Sequence, residues 1–351
     1  MPARSAPTPR PARSAGPVVD HVEVERHGAD LVVRWEVHGG GRDDPVRVCV
    51  GTSPEAIDHD RPVAEGRGSG DALVAGLDPA VRHYFHVGVD DGAGIVAAER
   101  LVPLEGTLNF RDLGGYRSAG GERVRWGRVF RSDGLSELTD ADAAYLRGLG
   151  IRTIHDFRHS RERTRAPSRL PDDAGWRLVD LAIGEEVGEQ PELIQLVLAG
   201  EVREIGIEMM VDIYLDLVRA HAPTFGRLLG HLADGDGLPA LFHCAAGKDR
   251  TGIAAALLLA VLDVDEETIL DDYELSTELR SNRRIEVLRP QLEASGVDVE
   301  DVRAFLSAPR PALAAVLEWI DAEHGSVERF LVDAAGVSPD AVSHLRELLL
   351  A

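Results

Sequence analysis

The chain has 351 residues, of which 44% are hydrophobic and 28% are charged. This composition is typical of a globular protein, and the length favours about two domains. The formal net charge of −22 argues against a broad nucleic-acid-binding face and against electrostatic docking on anionic lipid. An anionic substrate would therefore need its positive partners concentrated in one site. The chain contains a single lysine, Lys248, and every other basic residue is an arginine.

The termini and cysteines bear on localisation. Residues 1–17 are rich in Pro, Ala, Ser and Arg, which predicts a disordered tail rather than a signal peptide with an apolar segment. No apolar run reaches the ~18 residues that a membrane span needs. Cys49 and Cys244 are too far apart in sequence to indicate a disulfide framework. We therefore expect a cytoplasmic protein with no stable membrane insertion.

Residues 18–104 have the pattern of an all-β domain. Short runs of alternating apolar and polar residues cover 31–37, 46–50 and 84–89, and Gly, Asp and Pro separate them. Such spacing predicts an antiparallel β-sandwich. The segment resembles a fibronectin type III domain, through Trp35 in an early strand and Gly-Leu-Asp-Pro at 76–79 before a later one.

From residue 105 to residue 351, predicted strands alternate with predicted helices. The strand patterns cover residues 124–131, 151–157, 176–182 and 238–243. Helical patterns begin after Thr139, cover residues 205–231, and begin again at Arg250. Thr139 is a good N-cap with an acid at the third helical position. The alternation predicts an α/β domain whose central, mostly parallel sheet is flanked by helices.

The strongest chemical signal is residues 243–252, His-Cys-Ala-Ala-Gly-Lys-Asp-Arg-Thr-Gly, between a predicted strand and a predicted helix. The five residues between Cys244 and Arg250 can wrap so that successive backbone N–H groups point inward at the start of the helix. That arrangement is an anion-binding nest. Gly247 allows the backbone torsions that such a loop demands. The pattern predicts a phosphate-binding loop that carries a nucleophile.

The side chains of the loop fit the same chemistry. The field of the helix N-terminus favours the thiolate of Cys244. Arg250 has a planar guanidinium that can grip two oxygens of a phosphate. Thr251 can hydrogen-bond the sulfur and stabilise it as a leaving group. Lys248 adds a second cation at the mouth of the loop, where it would favour highly charged substrates. A buried, inert cysteine would need neither the glycines nor the cations.

This string resembles the signature loop of the cysteine-dependent protein tyrosine phosphatases. The similarity is specifically to their bacterial tyrosine/triple-specificity branch, and every fixed position matches. Further blocks that resemble this branch are residues 109–116 (NFRDLGGY), 130–132 (FRS), 156–158 (DFR, more often DLR in the family), 273–276 (YELS) and 325–328 (GSVE). The resemblance implies a central sheet flanked by helices and metal-independent hydrolysis of phosphomonoesters.

The resemblance also implies residue roles. Cys244 attacks phosphorus to form a cysteinyl-phosphate, and Arg250 and the loop amides stabilise the transition state. The remaining candidate substrate-binding residues are His243, Ala245, Ala246, Gly247, Lys248, Thr251, Asp156 and Arg158. The expected substrate is phosphotyrosine, with phosphoserine, phosphothreonine and phosphoinositides as further candidates. The alternative is a catalytically weak module that binds phosphorylated ligands while the β-domain recruits a protein partner.

Three aspartates are candidates for the general acid. In a parallel sheet the active edge lies where strands end, which makes Asp156 and Asp180 candidates. The family resemblance places an acid at Asp249, one residue before Arg250. We rank Asp249 first, Asp156 second and Asp180 third.

Other features carry weaker expectations. The histidines have no metal-ligand spacing, so neither a metal nor another cofactor is expected. Cys49 lies within an alternating strand pattern, which predicts that it is buried in the core. The arginines between residues 158 and 165 are either a solvated face or a means of attracting anions. The segment 184–206 contains an apolar run, 193–198, which either packs in the core or belongs to a helical lid that the family sometimes places over the site.

Overall fold

The structure is a computed structural model, and it describes residues 17–39, 42–89, 94–184 and 193–351. The predicted tail, residues 1–17, lies outside the described residues apart from Pro17. The chain divides into two compact units, Met1–Glu99 and Arg100–Ala351. Among the described helices, none is both long and apolar enough to cross a membrane.

The first unit is an all-β unit. Its strands are β1 (Val18–His27), β2 (Asp30–His38), β3 (Pro45–Gly51), β4 (Ala64–Arg67), β5 (Gly70–Val74), β6 (Tyr84–Val89) and β7 (Gly94–Ala98). They form a three-stranded sheet, β1-β2-β5, and a four-stranded sheet, β4-β3-β6-β7, with antiparallel pairing throughout. The three predicted strands are confirmed as β2, β3 and β6. Trp35 is buried, and its indole N–H donates to the Gly68 carbonyl at 2.7 Å.

The second unit is a mixed α/β domain with a five-stranded sheet. Its strands are β8 (Arg111–Asp112), β9 (Val129–Ser132), β10 (Thr153–Asp156), β11 (Arg177–Asp180) and β12 (Ala240–His243). The sheet order is β11-β10-β12-β9-β8; the first three pairs are parallel and the β8–β9 pair is antiparallel.

The register brings four strand ends to one edge. Asp156 pairs with both Asp180 and His243, and His243 pairs with Ser132. The prediction of a strand over residues 124–131 was too long, because sheet pairing starts only at Val129. A positive φ of 72° at Gly127 turns the chain before that point.

The helices pack around this sheet. They are α1 (Asp140–Gly148), α2 (Ser160–Arg165), α3 (Leu193–Leu198), α4 (Ile207–Ala233), α5 (Asp249–Val261), α6 (Glu266–Ser276), α7 (Asn282–Ala294), α8 (Arg303–Leu306), α9 (Arg310–His324), α10 (Val327–Asp333) and α11 (Pro339–Leu349). A π-helical turn, Thr277–Ser281, joins α6 to α7. The capping box predicted at Thr139 is confirmed, with Asp142 as its acid.

Helix α5 is the centre of the core, since it is apolar on all sides and almost every residue is buried. It packs against α4, α6 and α10 and against the strands β9 and β12. Each fully buried leucine in such a helix contributes about 1.5–3 kcal/mol through apolar burial. Helix α3 adds Val197, which is fully buried in the same core. Part of the segment for which we predicted either core or lid, residues 185–192, lies outside the described residues.

Candidate active site

The predicted loop leaves the carboxyl end of β12 and closes on itself before α5. The Cys244 thiol is buried, and its sulfur accepts a hydrogen bond from the Gly247 backbone N–H at 3.2 Å. Gly247 has a φ of +65°, and a Cβ there would lie 2.5 Å from the Ser132 carbonyl oxygen. Glycine is therefore required both for the torsion and for the close approach to β9.

The loop amides form a cradle above the start of α5. Within the part of the chain that the structure describes, the backbone N–H groups of Ala245, Ala246 and Lys248 donate to no protein acceptor. Helix α5 begins at Asp249, so its N-terminus points into the same loop. Unpaired amides at a helix N-terminus are a site for an anion such as phosphate.

Arg250 is held in place by Glu162. Its two terminal nitrogens donate to the Glu162 carboxylate at 2.7 and 2.6 Å, and one of them also donates to the Phe157 carbonyl at 3.2 Å. Burial alone would raise the pKa of Glu162, but the Arg250 hydrogen bonds and charge outweigh it and lower that pKa. The sequence analysis missed Glu162, although an acid between the arginines of residues 158–165 was the available signal.

Buried side chains hold the underside of the loop. The Asn109 amide donates to the Gly247 carbonyl at 3.0 Å and to the Ala246 carbonyl at 3.3 Å. Arg131 donates to the Gly247 carbonyl at 2.9 Å. Since Asn109 and Arg131 are both fully buried, these bonds fix the loop carbonyls away from the amide cradle.

Asp272 joins this support to the rest of the core. Its carboxylate accepts from Arg111 at 3.0 Å, from Arg131 at 2.5 Å and from the Tyr116 hydroxyl at 2.9 Å. Burial would raise the pKa of Asp272, but the two arginines hold it well below its usual range. Burial, together with repulsion from Arg111, lowers the pKa of Arg131 to about 10. The motif blocks at 109–116 and 130–132 therefore supply structural support, and Asp272 is a partner that the sequence analysis did not find.

Lys248 does not have the position expected for it. Its side chain is buried, and its ammonium donates to the Phe305 carbonyl at 2.5 Å, lies 3.4 Å from Asp249 and faces the Phe305 ring at 5.7 Å. Burial lowers the pKa of Lys248. The ammonium is therefore engaged within the protein rather than exposed at the mouth of the loop, because the α8 segment covers it.

Asp156, Arg158 and His243 form a compact group at the end of β10 and β12. Arg158 donates to the Asp156 carboxylate at 2.8 Å and also to the Ala166 carbonyl and the Ser168 hydroxyl, so its guanidinium is used by protein partners. His243 is buried, with a ring nitrogen 3.7 Å from the Asp156 carboxylate.

The electrostatics of this group disfavour Asp156 as a proton donor. Burial would raise the pKa of Asp156, but His243 and Arg158 outweigh it and lower that pKa. An ionised carboxylate has no proton to donate. Asp180 is more than half exposed and pairs with Arg163.

Asp249 has a different setting. Its carboxyl group is about one-third exposed, and one oxygen accepts a hydrogen bond from the Tyr214 hydroxyl. Thr251 lies nearby on α5, but its buried hydroxyl has no hydrogen-bond partner among the described residues. The expected bond from Thr251 to the sulfur is therefore not formed in this structure.

Comparison with known proteins gives the family. Residues 102–351 match the model of the family described as "Tyrosine phosphatase family". A protein of Cupriavidus necator that is named as a tyrosine-protein phosphatase is 32% identical over 243 residues, covering 69% of this chain and 86% of the relative. The triple specificity protein phosphatase PtpB of Mycobacterium tuberculosis is 33% identical over 282 residues, covering 70% and 98%. The solved Siw14 catalytic core, at 15% identity and a TM-score of 0.29 over 59% of this chain and 93% of that one, supports no inference. The chain belongs to the tyrosine phosphatase family of enzymes.

Proposed function

We propose that the protein hydrolyses phosphotyrosine, with phosphoserine, phosphothreonine and phosphoinositides as further candidate substrates, through a cysteinyl-phosphate. One observation carries this proposal. The Cys244 sulfur and three unpaired loop amides lie at the N-terminus of α5, and Arg250, in the first turn of that helix, interacts with the charge of Cys244. The arrangement joins a nucleophile to a cradle for the three non-bridging phosphate oxygens.

The first step transfers the phosphoryl group to sulfur. The Cys244 thiolate attacks phosphorus, a sulfur–phosphorus bond forms, and the bond from phosphorus to the ester oxygen breaks. The loop amides and Arg250 stabilise the charge on the equatorial oxygens. Glu162 orients Arg250 through two hydrogen bonds and the Phe157 carbonyl accepts a third, which leaves the other N–H groups of the guanidinium for the substrate.

The second step releases phosphate. Asp249 gives its proton to the leaving ester oxygen in the first step, and its carboxylate then takes a proton from the attacking water. Water adds to phosphorus as the sulfur–phosphorus bond breaks, which regenerates the thiolate. Asp249 suits this work better than Asp156, because its carboxyl group is about one-third exposed and lies 3.4 Å from the Lys248 ammonium, whereas the less exposed Asp156 is bound by Arg158 at 2.8 Å.

Replacing the nucleophile tests the proposal. Cys244→Ser should abolish hydrolysis of an aryl phosphate and of a phosphotyrosine peptide, because a serine hydroxyl does not ionise as a thiol does. The matched control is Cys49→Ser, which changes the other buried cysteine, in the first unit. Acid-quenched wild-type enzyme should carry labelled phosphate, and Cys244→Ser should carry none. Normal turnover by a folded Cys244→Ser protein would refute the mechanism.

The same assay decides the alternative, a weak phospho-ligand-binding module. Such a module would bind a phosphotyrosine peptide with little or no turnover in the wild-type chain. A panel of phosphotyrosine peptides, phosphoserine peptides and phosphoinositides then ranks the candidate substrates by kcat/KM.

The first unit supports a second, separate proposal. Its three-stranded and four-stranded antiparallel sheets are the arrangement expected for a fibronectin type III-like sandwich. We infer that this unit recruits a protein partner, and that the enzyme works in the cytoplasm, where a reducing environment preserves a catalytic thiolate. A pull-down with the full chain, compared with protein lacking residues 1–99, tests the recruitment.

A further inference from the structure

Two buried tyrosines form a hydrogen-bonded chain that ends on Asp249. The Tyr214 hydroxyl, on α4, donates to the Asp249 Oδ1 atom. The Tyr273 hydroxyl, on α6, lies 2.5 Å from the Tyr214 hydroxyl. A phenol has one proton to donate, so Tyr214 must accept from Tyr273 while it donates to the carboxylate. The hydrogen bonds are therefore donated in sequence from Tyr273 to Tyr214 and from Tyr214 to Asp249.

Both phenols are fixed donors. Tyr214 is fully buried and Tyr273 nearly so, and their rings pack edge to face with centroids 6.3 Å apart. Burial, followed by the charge of Asp249, raises the pKa of both tyrosines well above the ordinary value. Both hydroxyls therefore stay protonated across the pH range in which an enzyme of this kind works.

Gly252, the last residue of the sequence 243–252, leaves space for the Tyr273 ring. A Cβ at Gly252 would lie 2.8 Å from the Tyr273 ring, so any larger residue would displace the tyrosine. Gly252 is within the first turn of α5, two residues after Arg250. The backbone of α5 at Gly252 therefore packs closely against the Tyr273 ring.

We propose that Tyr214, supported by Tyr273, is a positioning residue that fixes the orientation of the Asp249 carboxyl group towards the leaving ester oxygen. This inference rests on the proposed function, in which Asp249 is the general acid and base. A buried hydroxyl on Oδ1 holds the carboxyl group in one orientation, and the Lys248 ammonium lies 3.4 Å from the same oxygen. Among the described residues no donor bonds to Oδ2, so that oxygen is left to protonate the ester oxygen and later to accept a proton from water.

The test compares kcat and KM of Tyr214→Phe in the full chain for phosphotyrosine and for a highly activated aryl phosphate. Without the hydroxyl, the carboxyl group loses the bond that fixes its orientation, so proton donation to a poor leaving group becomes less efficient. The kcat for phosphotyrosine should fall about 10-fold with little change in KM. Hydrolysis of the activated substrate, which needs little protonation, should change much less. Tyr273→Phe should have the same selective effect by a smaller factor.

Two further variants make the outcome decisive. Tyr145→Phe, on α1, is the matched control, and its kcat for both substrates should not change. Asp249→Asn separates this inference from the assignment of the acid. If it slows both substrates equally, Asp249 is not the acid, and the tyrosine inference falls with that assignment, while the role of Cys244 is decided by Cys244→Ser. If it selectively slows phosphotyrosine while Tyr214→Phe affects both substrates equally or neither, only the tyrosine inference is overturned.

Discussion

Replacing Asp272 by asparagine should destabilise the catalytic unit severely. The Asp272 carboxylate is buried and accepts hydrogen bonds from Arg111, Arg131 and Tyr116, and both arginines are fully buried. An amide keeps the shape but loses the charge, and its N–H₂ group faces an arginine donor. Removing one partner from a buried ion pair costs about 3–5 kcal/mol, because the remaining charge is left uncompensated.

That cost predicts a large thermal shift. For a unit of this size each kcal/mol lowers Tm by about 2–4 °C, so Asp272→Asn should lower it by about 6–20 °C. The matched control is its neighbour, Asp271→Asn. Asp271 is exposed and pairs with Arg310, so its loss should cost at most about 1 kcal/mol. Calorimetry of the full chain measures both variants. A Tm for Asp272→Asn no lower than that for Asp271→Asn would show that the network does not stabilise the fold.

Two more predictions follow from the site and the sheet. Glu162→Gln should lower kcat/KM for an aryl phosphate about 10- to 100-fold, equivalent to about 1.4–2.8 kcal/mol, because Arg250 loses its charged hydrogen-bond partner. The control is Glu286→Gln, which changes an exposed acid paired with Arg289 and should leave kcat/KM unchanged. His155 is buried and its pKa is lowered to about 4, chiefly by burial. It therefore binds its proton less readily in the folded than in the unfolded state, so the free energy of unfolding should fall by about 1.4 kcal/mol per unit as pH drops from about 6.5 to 4. In His155→Gln, denaturant titrations over that range should show a shallower fall, and an unchanged slope would contradict the assignment.

The geometry of the loop at residues 243–252 could be predicted because its information is local. Residues 243–252 are contiguous, a strand precedes them and a helix follows, so Cys244, Gly247 and Arg250 are brought together by a few torsions. The strand patterns of the first unit and the capping box at Thr139 were predictable for the same reason. Each depends on neighbours within a few residues, where periodicity and side-chain chemistry act directly.

The partners of that loop depend on tertiary structure. Nothing in the spacing of the 60 acidic residues separates Asp272, which is buried between two arginines, from Asp271, which lies in solvent. The packing of α6 against α5 decides which of the two aspartates is buried and which is exposed. In the same way, Lys248 is buried because the distant α8 segment covers it.

The sequence by itself determined the phosphatase family and the candidate nucleophile, Cys244, because the residues that indicate them lie within one short stretch of chain. Only the tertiary structure decided that Glu162 holds Arg250 and that Tyr214 holds Asp249. Those contacts join residues 88 and 35 positions apart. They form only when the parallel strand register and the packing of α2 and α4 bring the side chains together. The pattern of residues along the chain does not specify that packing.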